Sequence, residues 1–113
     1  VYFGNRDEFY RIDSSQIVYI VASGNYTYMK LASRETFLSF TLSLQKMQAY
    51  LSEELGKEAL TFMRIGKTYI INLAYVEEID TEMIYMKNKE MIPIPVRLRK
   101  QMKEKYQDYL QNK

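Results

Sequence analysis

The 113-residue sequence predicts a mostly β fold of small antiparallel sheets, with a short mid-chain helix and a C-terminal helix. Three observations predict it. Short β-prone runs separated by turn residues recur along most of the chain, a spacing that belongs to sheets and not to βαβ units. Several runs alternate apolar and polar side chains with a period of two. Two further stretches carry apolar residues at helical spacing.

Residues 1–3 and 8–12 flank Gly4-Asn5-Arg6-Asp7, whose composition suits a hairpin connection. Ile17-Val18-Tyr19-Ile20-Val21 is apolar at every position, and its β-branched residues and shortness predict a strand covered on both faces. Ser23-Gly24-Asn25 turns the chain into 26–31, where Thr27, Met29 and Leu31 face one way and Tyr26, Tyr28 and Lys30 the other. After the Ser33-Arg34 turn, 36–40 is its partner strand. The first helix takes Thr41 or Ser43 as its cap, repeats Leu44, Met47 and Leu51, and ends near Gly56. Further strands are expected at 62–65, 69–73, 76–79, 83–86 and 91–94. The last helix starts at Pro93-Ile94-Pro95, since proline tolerates a first-turn position whose amide is unpaired. Its apolar stripe is Leu98, Met102, Tyr106 and Leu110. No linker or repeat divides the chain, so 1–113 is expected to be a single domain, able to bury roughly two-thirds of its surface around one core.

The composition excludes several chemistries. With no His and no Cys there is no Cys/His zinc site, Ser-His-Asp triad, cysteine nucleophile or disulfide. The adjacent carboxylates Glu77-Glu78 would point to opposite faces of a strand. No motif assembles an acid, a base and a nucleophile, so the chain reads as a non-enzyme without cofactor or metal. A Cys-free chain suits the cytoplasm, and no apolar run approaches the roughly 18 residues of a membrane span. The start, Val1-Tyr2-Phe3-Gly4, is neither a signal peptide nor an initiator Met, which suggests a piece excised from a longer regulator.

Net charge is only +2, but it is unevenly spread: residues 97–113 hold six cations and two carboxylates, leaving the rest at −2. A basic end on a near-neutral body suits a modest phosphate-facing surface, and equally a solvated helix face. Two loops add candidates. Gly66-Lys67-Thr68 interrupts two apolar strands and places a cation and a hydroxyl at a tip, without the second glycine and spacing of a P-loop. Ser23-Gly24-Asn25-Tyr26-Thr27 sets short polar side chains ahead of an aromatic. Both are also ordinary turn sequences.

Taken in order, these segments carry a resemblance. Ile17-Val18-Tyr19-Ile20 precedes Ser23-Gly24-Asn25-Tyr26-Thr27, Thr41-Leu42 opens a short helix, and Phe62-Met63-Arg64-Ile65 leads into Tyr69-Ile70-Ile71-Asn72-Leu73. Val76 and Ile79 follow, and Ile92-Pro93-Ile94 opens the last helix. The whole chain thereby resembles the LytTR (LytR/AlgR-type) DNA-binding domain, an output module of bacterial response regulators in two-component systems.

The resemblance implies an elongated stack of sheets that inserts loops into successive major grooves, for sequence-specific double-stranded DNA binding in transcription regulation. It implies groove contacts from Asn25, Tyr26 and Thr27, from Lys67, and from Arg97, with Arg64, Thr68, Arg99 and Lys100 as flanking phosphate or support residues. The chemistry agrees, because Arg can pair bidentately with guanine, Asn with adenine, and Lys with phosphate or guanine. It further implies promoter repeats as targets, an upstream receiver or sensory domain, and the option of a homodimer on DNA. Two departures bear on sequence preference: Gly66-Lys67-Thr68 stands where many members carry His-Arg-Ser or a similar trio, and Pro95-Val96 where Ser-Arg is common.

Two alternatives stay open. One is a single-stranded nucleic-acid binder of oligonucleotide-binding type, in which Tyr26, Tyr28, Tyr69, Tyr75, Tyr85, Tyr106 and Tyr109 would stack bases. The other is a protein-interaction module. The tyrosines read more simply as core-edge residues, rings inside and hydroxyls wet.

Overall fold

The computed structural model describes residues 2–4 and 9–112. Its strands are β1 (Tyr2–Gly4), β2 (Phe9–Arg11), β3 (Ile17–Ser23), β4 (Tyr26–Leu31), β5 (Leu38–Phe40), β6 (Phe62–Ile65), β7 (Tyr69–Asn72), β8 (Val76–Ile79), β9 (Met83–Met86) and β10 (Met91–Pro93). Helix α1 (Leu44–Leu55) follows β5, and α2 (Arg99–Gln111) closes the chain. The described chain measures 41 × 29 × 25 Å, the elongated outline expected of stacked small sheets.

A five-stranded antiparallel sheet in the order β5-β4-β3-β7-β6 forms the middle layer. The central strand is β3, bonded to β4 on one side and β7 on the other. This explains its unbroken apolar run, because both faces of β3 are covered. Ile17 and Ile20 enter one core, whereas Val18 and Tyr19 enter the other. The shift of register between Ile17 and Tyr19 is a bulge that turns two successive side chains to the same side.

On the first face, α1 and the β1–β2 hairpin pack over the sheet. Phe3, Leu44, Met47 and Leu51 meet Ile20, Met29, Phe40 and Ile70 there, and the Phe3 ring lies 5.0 Å from that of Tyr50. On the second face, the three-stranded sheet β10-β9-β8 and α2 do the covering. Ile84, Met86, Ile92 and Met102 close over Val18, Met63 and Ile71. Each fully buried side chain of this size contributes about 1.5–3 kcal/mol.

Local details settle or correct the expected boundaries. Ser43, not Thr41, caps α1, its Oγ accepting from the amide of Lys46 at 3.1 Å. Gly56, with φ 55°, ends the helix where predicted. A 3-10 turn over Gly56–Thr61 that no sequence signal marked then leads into β6. Pro95 precedes another 3-10 turn, Val96–Leu98, so α2 starts later than expected. In its stripe Met102 is buried and Leu98 and Tyr106 half-buried, but Leu110 is 48% exposed. Steps of four overrun the helical repeat by about 40° each, and by the last turn Tyr109 has taken the inward position. β1 and β2 pair as predicted, with Phe3 opposite Tyr10; Asn5, Arg6 and Asp7 of their connection lie outside the described residues.

Candidate nucleic-acid interface

Two turns leave the same end of the central sheet. The β3–β4 turn closes at Ser23 opposite Tyr26, with Gly24 at φ 60° and Asn25 beside it. The β6–β7 turn closes at Ile65 opposite Tyr69, with Gly66 at φ 60°. Only a residue without a Cβ holds that left-handed conformation without strain. β3 and β7 pair with Val21 opposite Tyr69, and the Ala22 amide donates to the Thr68 carbonyl at 2.7 Å. Given the order β4-β3-β7-β6, the centres of the turns lie two strand spacings apart, about 10 Å. Asn25, Tyr26, Lys67 and Thr68 are all exposed at this end.

The entry to α2 extends the row. Gly66 lies against Pro95, since a Cβ placed on it would stand 3.7 Å from the proline Cγ. Two residues on, Arg97 lines a depression with Lys67, Arg64 and Lys105, together with Gln48 and Gln101. Arg97, Gln101 and Lys105 follow one another at steps of four and so occupy one flank of the helix. Among the described residues no carboxylate lines this depression and none pairs with its cations. It is a concentrated positive surface at the sheet end that carries both turns.

The expected residues divide into three groups. Asn25, Tyr26, Lys67, Thr68 and Arg97 are exposed along the row, with Arg64 half-buried behind them. Arg64 is engaged inside the protein: its Nε donates to the Gly66 carbonyl at 2.9 Å and its Nη1 to Gln48 Oε1 at 3.2 Å. Arg99 and Lys100 lie apart, with Lys103, in a groove on the opposite flank of α2 against residues 79–81. Arg99 Nε donates to the Ile94 carbonyl at 3.3 Å. Across that groove the Asp80 carboxyl accepts from the amides of Glu82 and Met83 and from the Tyr85 hydroxyl, which hold its pKa below the ordinary carboxylate value.

Thr27 requires a correction. Its side chain is wholly buried, on the face of β4 that also buries Met29 and Leu31, and its hydroxyl has no partner. A buried Oγ1 cannot touch a groove floor, so the direct DNA contact expected of Thr27 does not stand. Gln48, Gln101 and Lys105 line the same depression and were not among the expected residues. Helical spacing from Arg97 pointed to the last two, but nothing in the sequence near Gln48 signalled its position.

The aromatic residues follow the core-edge reading. Of the seven tyrosines considered for base stacking, Tyr26 alone is exposed. The hydroxyls of Tyr75, Tyr85 and Tyr106 are bonded to the Ser15 carbonyl, the Asp80 carboxylate and the Val76 carbonyl. Among the described residues no group of acidic side chains could hold a metal ion, and no helix is long and apolar enough to cross a membrane.

Comparison with known proteins agrees with this architecture. The chain is similar to a solved LytTr DNA-binding domain of a response regulator from Bacillus cereus, at 19% identity and a TM-score of 0.70, over 93% of this chain and 94% of that one. That likeness is one of fold. No curated protein matches the chain. The family model of the LytTr DNA-binding domain matches residues 7–107, which take in all of the central sheet, both turns and most of α2; the chain belongs to this family of DNA-binding domains of transcription regulation.

Proposed function

We propose that this domain binds double-stranded DNA sequence-specifically, as a non-catalytic output module of a response regulator in the cytoplasm. Asn25 and Tyr26, Lys67, and Arg97 face base edges in successive major grooves, while Thr68 and the cations of α2 hold phosphates. The observation that carries this reading is the Ala22–Thr68 hydrogen bond, which sets both turns side by side next to the Arg97 depression. Duplex is favoured over single strands because six of the seven tyrosines are half-buried and three of those hydroxyls are tied to other groups of the chain, leaving little stacking surface. An upstream receiver or sensory domain, and two copies meeting at promoter repeats, belong to the same proposal.

A salt series of binding to duplex and single-stranded oligonucleotides tests it. Duplex affinity is expected to fall with salt at a log-log slope of about −0.9 per phosphate contacted. No binding at low salt, or stronger binding to single strands, overturns the proposal.

A further inference from the structure

Gln48 is the residue by which α1 reaches the Arg97 depression, and its amide is held in one orientation. Arg64 bridges Gly66 and Gln48, donating to the Gly66 carbonyl through Nε and to Gln48 Oε1 through Nη1. A guanidinium has donors only, so the amide oxygen of Gln48 must face it and the NH₂ must point away. Neither hydrogen of that NH₂ meets an acceptor among the described residues. Lys67, Arg97 and Lys105 likewise offer only donors. Of the polar side chains of the described residues lining the depression, Gln101 alone has an acceptor oxygen that no donor occupies, and Gln48 Oε1 keeps one lone pair beside the Arg64 bond.

A depression so rich in donors matches a partner edge that presents only acceptors. On DNA, phosphate oxygens and the O6/N7 edge of guanine have that character. We propose that Gln48 is a DNA-contacting residue supplied by α1, and that Arg64 is a positioning residue that aims it while bracing the β6–β7 turn. This rests on the duplex-binding reading. It gives α1 a role in recognition, and it assigns Arg64 to positioning and not to a phosphate, with its Nε and Nη1 turned to Gly66 and Gln48.

The test measures duplex affinity by fluorescence anisotropy, across salt and over a panel of single-base variants, with circular dichroism as the check of folding. Gln48→Glu keeps an acceptor for Arg64 but replaces the free donor with negative charge, so affinity is expected to fall about tenfold or more with the fold intact. Gln48→Ala is expected to lose several-fold; loss on all sequences alike assigns the contact to phosphate, and loss confined to one base pair assigns it to a base edge. Arg64→Gln is expected to weaken binding with the salt slope unchanged, whereas a phosphate contact would lower the slope by about 0.9. Arg64→Lys, which keeps the charge but loses the fork, is expected to weaken binding as well. If both Gln48 variants bind as the parent does, or Arg64→Lys retains full affinity, the inference fails while the duplex-binding reading stands. A parent domain that binds no duplex overturns both.

Discussion

Thr27 and Ala22 face one another across β4 and β3, and the Thr27 hydroxyl, at 0% exposure, meets no hydrogen-bond partner. Leaving a buried hydroxyl unsatisfied costs about 1–3 kcal/mol. Valine has nearly the same shape without the polar atom. Thr27→Val is therefore expected to stabilise the domain by about 1 kcal/mol and to leave duplex affinity unchanged, as read by urea denaturation and anisotropy. A folded Thr27→Val domain that has lost DNA binding would return Thr27 to the interface.

The second core places different demands on successive residues of α2. Met102 is fully buried in the core that also holds Ile92 and Ile71, Leu98 is half-buried and Leu110 is exposed. Met102→Ala is expected to cost about 2–5 kcal/mol, Leu98→Ala roughly half as much, and Leu110→Ala no more than about 0.5 kcal/mol. Equal losses at Leu110 and Met102 in chemical denaturation would show that the last turn docks more tightly than its exposure indicates.

Alkaline pH is expected to destabilise the domain through Tyr19. Burial, with smaller contributions from the nearby Glu90 and Tyr69 charges, pushes its phenol up to about 12. In the unfolded chain the same group ionises near 10. The unfolded state therefore loses this proton first as pH rises. The contribution of neutral Tyr19 is full below about pH 10 and is lost as pH climbs through about 12. Tyr50, Tyr69 and Tyr85 shift in the same direction, so Tyr19→Phe isolates the effect. Phenolate absorbance followed together with circular dichroism is expected to show several tyrosines ionising late, and Tyr19→Phe is expected to remove the last of them. Ionisation of every tyrosine near pH 10 in a still-folded domain would contradict this.

Much of the fold was readable because local pattern and tertiary role coincide. The continuous apolar run at 17–21 announces a strand covered twice, and Ser43 and Gly56 bound α1 by their own cap chemistry. The bulge between Ile17 and Tyr19 has no residue signature, since both positions would be apolar with or without it. Glycines mark each turn of the interface, but what sets the turns side by side is the pairing of 19–21 with 69–71, and no local period encodes a contact across that separation. Thr27 is legible in the sequence: its alternation with Met29 and Leu31 already points it inward, against the groove contact that the family resemblance implies. Gln48 was illegible for the opposite reason. An exposed glutamine on an amphipathic helix looks like any other until the Arg64 fork is seen to hold it.

Arg97 and Lys100 separate charge from recognition. Both are exposed cations near the start of the last helix, and on electrostatics alone each is worth one phosphate. The structure places them on different flanks: Arg97 lines the depression with Lys67 and Gln101, and Lys100 lies in the groove with Arg99 and Lys103. A planar fork beside the two turns presents two donors already set to the O6/N7 edge of one guanine, a geometry that a rotating lysine ammonium does not fix. Arg97→Ala is accordingly expected to cost about 1–3 kcal/mol on the best site and to relax preference at one base pair. Lys100→Ala is expected to weaken every sequence alike and to lower the salt slope by at most about 0.9. Binding to a panel of single-base variants decides between them. If Arg97→Ala lowers affinity uniformly and leaves the base preferences of the parent intact, Arg97 holds a phosphate, and base reading must rest on the β3–β4 and β6–β7 turns alone.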